Sequence, residues 1–296
     1  MTRLTIFFFL LGVSTAPAVQ INTGLPFLKN GTDARTTAIG EAGTAVYGDL
    51  TSFYYNPASL RYSSQHQLSI NHRQGFADVT SDQIGATIPG ETFSYGIMAF
   101  TTTVGDIEVR QRPGEAEGTF SARNGALGAG IAYSSDNNFS IGVSGKLLYE
   151  KIYIDEASGY AFDAGIAYKV TDDISAGISI LNLGSMSVLR SVPSELPSTL
   201  RLGGSYISAI STELSIVGAA DIVKTLDDDG MHLHGGAEAV YNSMFMLRAG
   251  YQSGYETRSF SAGAGVRYGI LRIDYAFVPM SGAFSPQHAF SLVFFL

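Results

Sequence analysis

The chain has 296 residues, of which 45% are hydrophobic and only 15% charged, with a formal net charge of -8, 34 glycines and no cysteine. Globular chains carry charge at about a quarter of their positions, so the deficit fits an outer waist that meets lipid. The missing cysteine excludes a disulfide framework and a lipidated N-terminal Cys, and the absence of a Lys/Arg cluster argues against a nucleic-acid partner.

Met1-Thr2-Arg3, an apolar run over 4–13 and Ala16-Pro17-Ala18 read as a secretory signal peptide over 1–18. That apolar run, roughly ten residues, is too short for a helical span, and no later run reaches about eighteen. Residues 19–65 then form a separate segment. Its part 31–60, GTDARTTAIGEAGTAVYGDLTSFYYNPASL, has no period-two alternation and many small residues. It predicts short helical pieces and tight turns packed inside a barrel mouth. Phe53, Tyr54 and Tyr55 are candidate contacts for an apolar ligand, with plain packing of the segment as the alternative.

From residue 66 onward, apolar alternation between turn signals predicts strands at 67–73, 82–89, 93–101, 120–134, 138–153, 159–170, 173–182, 198–208, 212–223, 230–241, 244–254, 258–268, 270–277 and 287–296. About fourteen strands is an even number, as single-chain bacterial barrels require. The connections alternate. Asp136-Asn137, Thr171-Asp172, Ala209-Ile210, Asn242-Ser243 and Gly269 make tight links, expected on the periplasmic side, whereas 102–119 and 183–197 are long and expected outside. Five strands end on an aromatic: Tyr133, Tyr168, Tyr206, Tyr241 and Tyr268 all fall on the apolar parity of their segments. An aromatic at the last outward position places its ring in lipid and its hydroxyl among headgroups, so these five predict a membrane girdle. A soluble β-sandwich with core tyrosines shares the alternation and is the other reading.

The opposite parity collects the charge: Arg73, Lys146, Glu150, Asp163, Lys169, Arg201, Glu213, Asp221, His232, His234, Glu238, Arg248, Arg267, Arg272 and Asp274. Charge at the lipid midplane costs about 2–4 kcal/mol for Lys or Arg, which explains the sorting. Both signs occur, so a paired network is expected in the lumen, with a solute path lined by these charges as the other reading. Inward glycines and serines such as Gly128, Gly130, Ser140, Gly142, Ser261, Gly263 and Gly265 leave space that a plug would fill. The last strand alternates through His288, Phe290, Leu292, Phe294 and Leu296, the amphipathic ending by which barrel-assembly machinery commonly recognises its clients.

Enzyme chemistry finds little support. No spacing singles out a Ser-His-acid set. His232, His234 and Glu238 share a strand face and would suit a metal, but such alternation is ordinary on polar faces. Asp227-Asp228-Asp229 lacks the spaced ligands of a calcium loop, and Gly125 to Gly130 lacks a phosphate-loop context. No cofactor, metal or catalytic residue is expected.

Asp33-Ala34-Arg35, Gly40, Ala42-Gly43, Ala45, Asp49 and Asn56-Pro57-Ala58 resemble the start of PorV/PorQ-type outer-membrane proteins, relatives of the FadL long-chain fatty acid transporters. Ile39-Gly40-Glu41 stands where the commonest versions have Met-Gly-Gly. The resemblance implies an all-β, transmembrane antiparallel barrel of about fourteen strands over 66–296 in the outer membrane, with 19–65 as a hatch. It further implies a hydrophobic or amphipathic small-molecule ligand that shifts the hatch and leaves through a lateral gap in the wall. In PorV-like proteins the barrel instead serves type IX protein secretion, with secretion proteins as partners. The loop 183–197, carrying Met186, Val188, Leu189, Val192 and Leu196, is then the docking surface, and a purely structural membrane role is the third reading.

Overall fold

The computed structural model describes residues 24–296 except 77, 111, 135, 137, 191, 227–229 and 283. The expected signal peptide, the acidic turn 227–229 and Asn137 of one tight link lie outside the described residues. Fourteen strands close into one antiparallel barrel. They are β1 (Gln67–Gln74), β2 (Val79–Ile88), β3 (Phe93–Val109), β4 (Gly118–Tyr133), β5 (Phe139–Ile152), β6 (Asp155–Lys169), β7 (Ile174–Met186), β10 (Thr199–Ala209), β11 (Leu214–Thr225), β12 (His232–Tyr241), β13 (Phe245–Gln252), β14 (Phe260–Tyr268), β15 (Leu271–Val278) and β16 (Gln287–Phe295). The short strands β8 (Val188–Leu189) and β9 (Val192–Pro193) make a hairpin of their own between β7 and β10.

Neighbours in sequence pair in space, and β1 closes on β16 with Gln67 opposite Phe295 and Gln74 opposite His288. Closure leaves no unpaired strand edge, which a wall in hydrocarbon cannot tolerate. Alternation gives the wall two characters. Leu127, Leu147 and Leu247 stand 60%, 67% and 68% exposed, while their inward neighbours Ala126, Lys146, Leu148, Met246 and Arg248 are buried. The start of β1, the end of β16 and the links after β2, β4, β6, β10, β12 and β14 gather at one end, here the tight end; the other links form the loop end.

Three expected connections turn out differently. Most of 102–119 continues as a hairpin of β3 and β4, with a register shift between Val104 and Ile107. β6 starts at Asp155, so β5 and β6 are joined at the loop end by only Tyr153 and Ile154, with Tyr153 at φ 57. The 183–197 stretch begins inside β7.

Residues 24–63 lie inside the barrel. They comprise a 3-10 turn at Pro26–Lys29, α1 (Ala34–Ala38), α2 (Ser52–Tyr55) and a 3-10 turn at Pro57–Tyr62. Inward glycines of the wall receive them. A Cβ at Gly96 would stand 2.7 Å from Leu60, at Gly130 2.5 Å from the Phe53 ring, at Gly236 2.5 Å from the Ile39 carbonyl and at Gly263 2.6 Å from Ala38. Space left by small side chains is thus taken by the chain's own N-terminal segment.

Candidate functional site

The segment that resembles a hatch is held by identifiable bonds. Asp33 caps α1, its Oδ1 accepting from the Thr36 amide and hydroxyl, both at 2.7 Å. Burial pushes its carboxyl up to about 6, against those two hydrogen bonds. The Ala34 amide donates to Ser291 Oγ at 2.8 Å, and the Gly40 amide to Ser261 Oγ at 3.1 Å, with Gly40 at φ 69. Gly43 lies so close to the Tyr55 ring that a Cβ would stand 2.6 Å from it. Asn56 accepts from the Ala58 amide at 3.0 Å and donates to the Thr44 and Ile166 carbonyls at 3.1 and 2.9 Å. Pro57 opens the second 3-10 turn, and the Ala58 carbonyl accepts from Ser140 Oγ at 3.0 Å.

Around this segment the lumen divides by chemistry. On the side of β10 to β16 it is ionic. Arg35 donates to Glu238 at 2.8 Å and Asp49 at 3.2 Å; Arg272 pairs with Asp49 and, at 2.7 Å, with Asp274; Arg248 pairs with Glu238 and, at 2.7 Å, with Asp274. Three guanidiniums meet three carboxylates, so the buried network is neutral, the condition under which burial of charge is tolerable. Burial would raise the Asp49 carboxyl, but Arg272 and Arg35 outweigh it and hold it well below the usual range. A second knot joins Arg201 to Asp221 at 2.9 Å, with Thr44 donating its hydroxyl to Asp221 at 2.6 Å. Of the further charges expected inside, Lys146 reaches Asp163 at 2.9 Å and Asn182 at 2.7 Å. Glu213 instead stands exposed before β11, where the Tyr241 hydroxyl donates to it at 3.2 Å.

On the side of β3 to β7 an apolar cluster adjoins the Lys146–Asp163 pair, with Lys146 Nζ 5.9 Å from the Tyr54 ring. The cluster contains Leu25, Leu28, Phe53, Tyr54, Tyr55, Leu60, Met98, Phe100, Ala132, Leu148, Met186 and Leu196. It extends from Met186 and Leu196 at the loop end to Ala132 and Leu60 near the tight end. Phe53, Tyr54 and Tyr55 are all within it, at 3%, 6% and 0% exposure, and Tyr54 lies 5.4 Å from Phe100. Of the loop residues expected as a docking surface, Met186 and Leu196 are buried, Leu189 packs against the cluster and Val188 is exposed, while the Val192 side chain lies outside the described residues. They turn inward because the nearest apolar surface is the barrel's own mouth.

His232 and His234 do not meet Glu238. His234 Nε2 lies 3.0 Å from the Tyr255 hydroxyl and the His232 ring stacks on Tyr255 at 4.1 Å, whereas Glu238 is taken by Arg35 and Arg248. Tyr255 sits in the connection after β13, where no periodic pattern pointed to it. Tyr133, Tyr168, Tyr206, Tyr241 and Tyr268 are 39%, 44%, 54%, 47% and 80% exposed at the tight end. Toward the loop end stands a second set of exposed aromatics, Tyr149, Tyr160, Tyr251, Phe260 and Tyr275. Their parity is the same as that of the first row, but they do not close a strand, so the sequence signal was weaker. On the outer wall an open hollow of about 560 Å³ is lined by Ala129, Ile131, Val143, Phe162, Ala164 and Leu183, where the β6–β7 register shifts between Phe162 and Ala164.

No family model and no curated protein matches the chain. Solved structures do. The toluene transporter TodX of Pseudomonas putida has 13% identity and a TM-score of 0.63, covering 89% of this chain and 97% of that one. The CymD monoaromatic hydrocarbon channel has 13% identity and a TM-score of 0.64, over 93% and 99%. A Pseudomonas aeruginosa FadL homologue has 12% identity and a TM-score of 0.57, over 88% and 97%. At these identities the likeness is one of fold: a closed fourteen-stranded antiparallel barrel.

Proposed function

We propose that this protein passes hydrophobic or amphipathic small molecules across the outer membrane, with residues 24–63 as a hatch that must shift for passage. The observation that carries this reading is the apolar cluster that runs beside the Lys146–Asp163 pair, from Met186 and Leu196 to Ala132 and Leu60. Barrels that admit water and ions have polar interiors, whereas an apolar track is useful to a solute that partitions poorly into a polar outer leaflet. The solved barrels named above as a toluene transporter and a hydrocarbon channel support the reading by shape. In this account the loop end faces outside and the tyrosine row at the tight end marks the periplasmic rim. The PorV/PorQ-type secretion role is the weaker reading, because Met186, Leu189 and Leu196 of the loop pack inward.

The test is uptake into vesicles with a lipopolysaccharide outer leaflet. Toluene and a fluorescent long-chain amphiphile should enter faster than into protein-free vesicles, without large ionic conductance, and Met186→Glu at the mouth should slow them. Free passage of sugars and ions, or no uptake of either probe, would refute the proposal.

A further inference from the structure

This inference rests on the transport reading above and concerns Glu41, the residue that stands where the resembling family has glycine. Its backbone lies at φ 59, a conformation that strains any residue bearing a side chain. Its carboxylate is 3% exposed, and Oε2 has no hydrogen-bond partner among the described residues. Oε1 faces two guanidiniums, Arg73 Nη1 at 3.7 Å and Arg258 Nη1 at 3.9 Å, both too far for a hydrogen bond. A buried carboxylate that binds its cations this loosely is in the right place with the wrong reach.

The two arginines do not depend on Glu41 for their positions. Arg73, at the outer end of β1, donates to the Gly31 carbonyl at 2.6 Å. Arg258, in the connection between β13 and β14, stacks on Tyr255 at 4.5 Å, and Tyr255 is itself fixed against His232 and His234. Both side chains are 11% exposed and stand at the loop end of the barrel. The nearby Arg201 is paired with Asp221, leaving two cations against one carboxylate. Glu41 is tied to the hatch, and its backbone carbonyl accepts from Arg201 Nη2 at 2.6 Å.

We propose that Arg73 and Arg258 form a carboxylate-binding site at the outer mouth, that Glu41 occupies it as an internal stand-in, and that the carboxylate of an entering amphiphile displaces Glu41 and loosens the hatch. A mobile carboxylate can move within hydrogen-bond distance of both guanidiniums and gain the paired bonds that Glu41 does not make. The exchange is neutral, one carboxylate for another, and Glu41 is released to the water of the mouth with its backbone free to relax.

The test uses the refolded full chain near pH 7 and two probes of equal length, cis-parinaric acid and the corresponding alcohol, followed by fluorescence. Glu41→Gln keeps the shape and removes the charge. It should bind the acid about tenfold more tightly than the unchanged chain, the scale of one gained charge-assisted contact, with the alcohol altered by less than about twofold. Arg73→Gln combined with Arg258→Gln should abolish the preference for acid over alcohol, with or without Glu41→Gln. Heat-modified gel mobility checks folding, and Glu41→Gly repeats the test if Glu41→Gln misfolds. Equal tightening for both probes, no tightening, or an acid preference that survives without both arginines would overturn the inference while leaving transport standing. If neither probe binds the unchanged chain or any variant, the transport reading itself fails, and this inference with it.

Discussion

Gly236 and Gly235 are adjacent on β12 and face opposite ways, so alanine at each asks the same question of two surfaces. A Cβ at 236 would stand 2.5 Å from the Ile39 carbonyl oxygen and 2.7 Å from its C and Cα, whereas at 235 the nearest atom is 3.6 Å away. Ordinary contact near 3.5 Å requires the Ile39 backbone to retreat by about 1 Å. It cannot do so freely, since Gly40 is bonded to Ser261 at 3.1 Å and Glu41 to Arg201 at 2.6 Å. Overpacking of this kind costs about 1–3 kcal/mol. In the proposed movement the hatch shifts within a folded barrel, so the usual gain from replacing a strand glycine cancels and the cost falls on seating. Gly236→Ala should therefore raise the unseated population about 5- to 150-fold. Trypsin cleavage after Arg35 or Arg61, followed by mass spectrometry in detergent, reads that population. Gly235→Ala should cleave within about twofold of the unchanged chain, its added Cβ meeting only ordinary contact. Equal cleavage rates for the two variants would refute the idea that inward glycines seat the hatch.

Asp49→Asn strips the shared partner from Arg35 and Arg272, and breaking a buried pair this way should cost about 3–5 kcal/mol. The urea midpoint of hatch release, followed by near-ultraviolet tyrosine dichroism, checks it. Asp33, with its carboxyl raised to about 6, favours the seated hatch in its protonated form. That contribution is full below the ordinary carboxylate value near 4 and is lost as pH rises through about 6. Release should thus be easier at pH 7 than at pH 5, and Asp33→Asn, which keeps the acceptor for Thr36, should remove the difference. Leu127→Arg, on the outer wall, should cost about 2–4 kcal/mol in vesicle-embedded unfolding, and Tyr268→Arg at the rim about 0–1 kcal/mol. Deleting residues 20–62 should turn a closed barrel into a conducting one in planar bilayers.

Barrel closure and strand number were legible because lipid on one face and protein on the other enforce period two along every spanning strand. The signal stopped where the lipid stops. Beyond Thr102, β3 alternates little in exposure, having water on both faces, and it therefore read as loop. The β5–β6 turn at Tyr153 was missed for the same reason. Inward glycines announced a plug, but which glycine meets which residue depended on three-dimensional contact. Asn56 and Asp33 were found through resemblance, whereas Tyr255 and Arg258 come together only through the fold. Glu41 left a trace, a charged residue at a glycine position, whose meaning needed the φ angle and the two facing arginines.

Under the transport proposal, residues 24–63 must move for an apolar solute to pass. The chain has no cysteine, so a tether can be added cleanly: Ala38→Cys on the hatch with Ala276→Cys on β15, two positions of one buried alanine cluster. With the disulfide formed, amphiphile uptake into lipopolysaccharide-bearing vesicles should fall to the protein-free rate and recover on reduction. Uptake at the same rate in both redox states, with the disulfide verified by mass spectrometry, would contradict it.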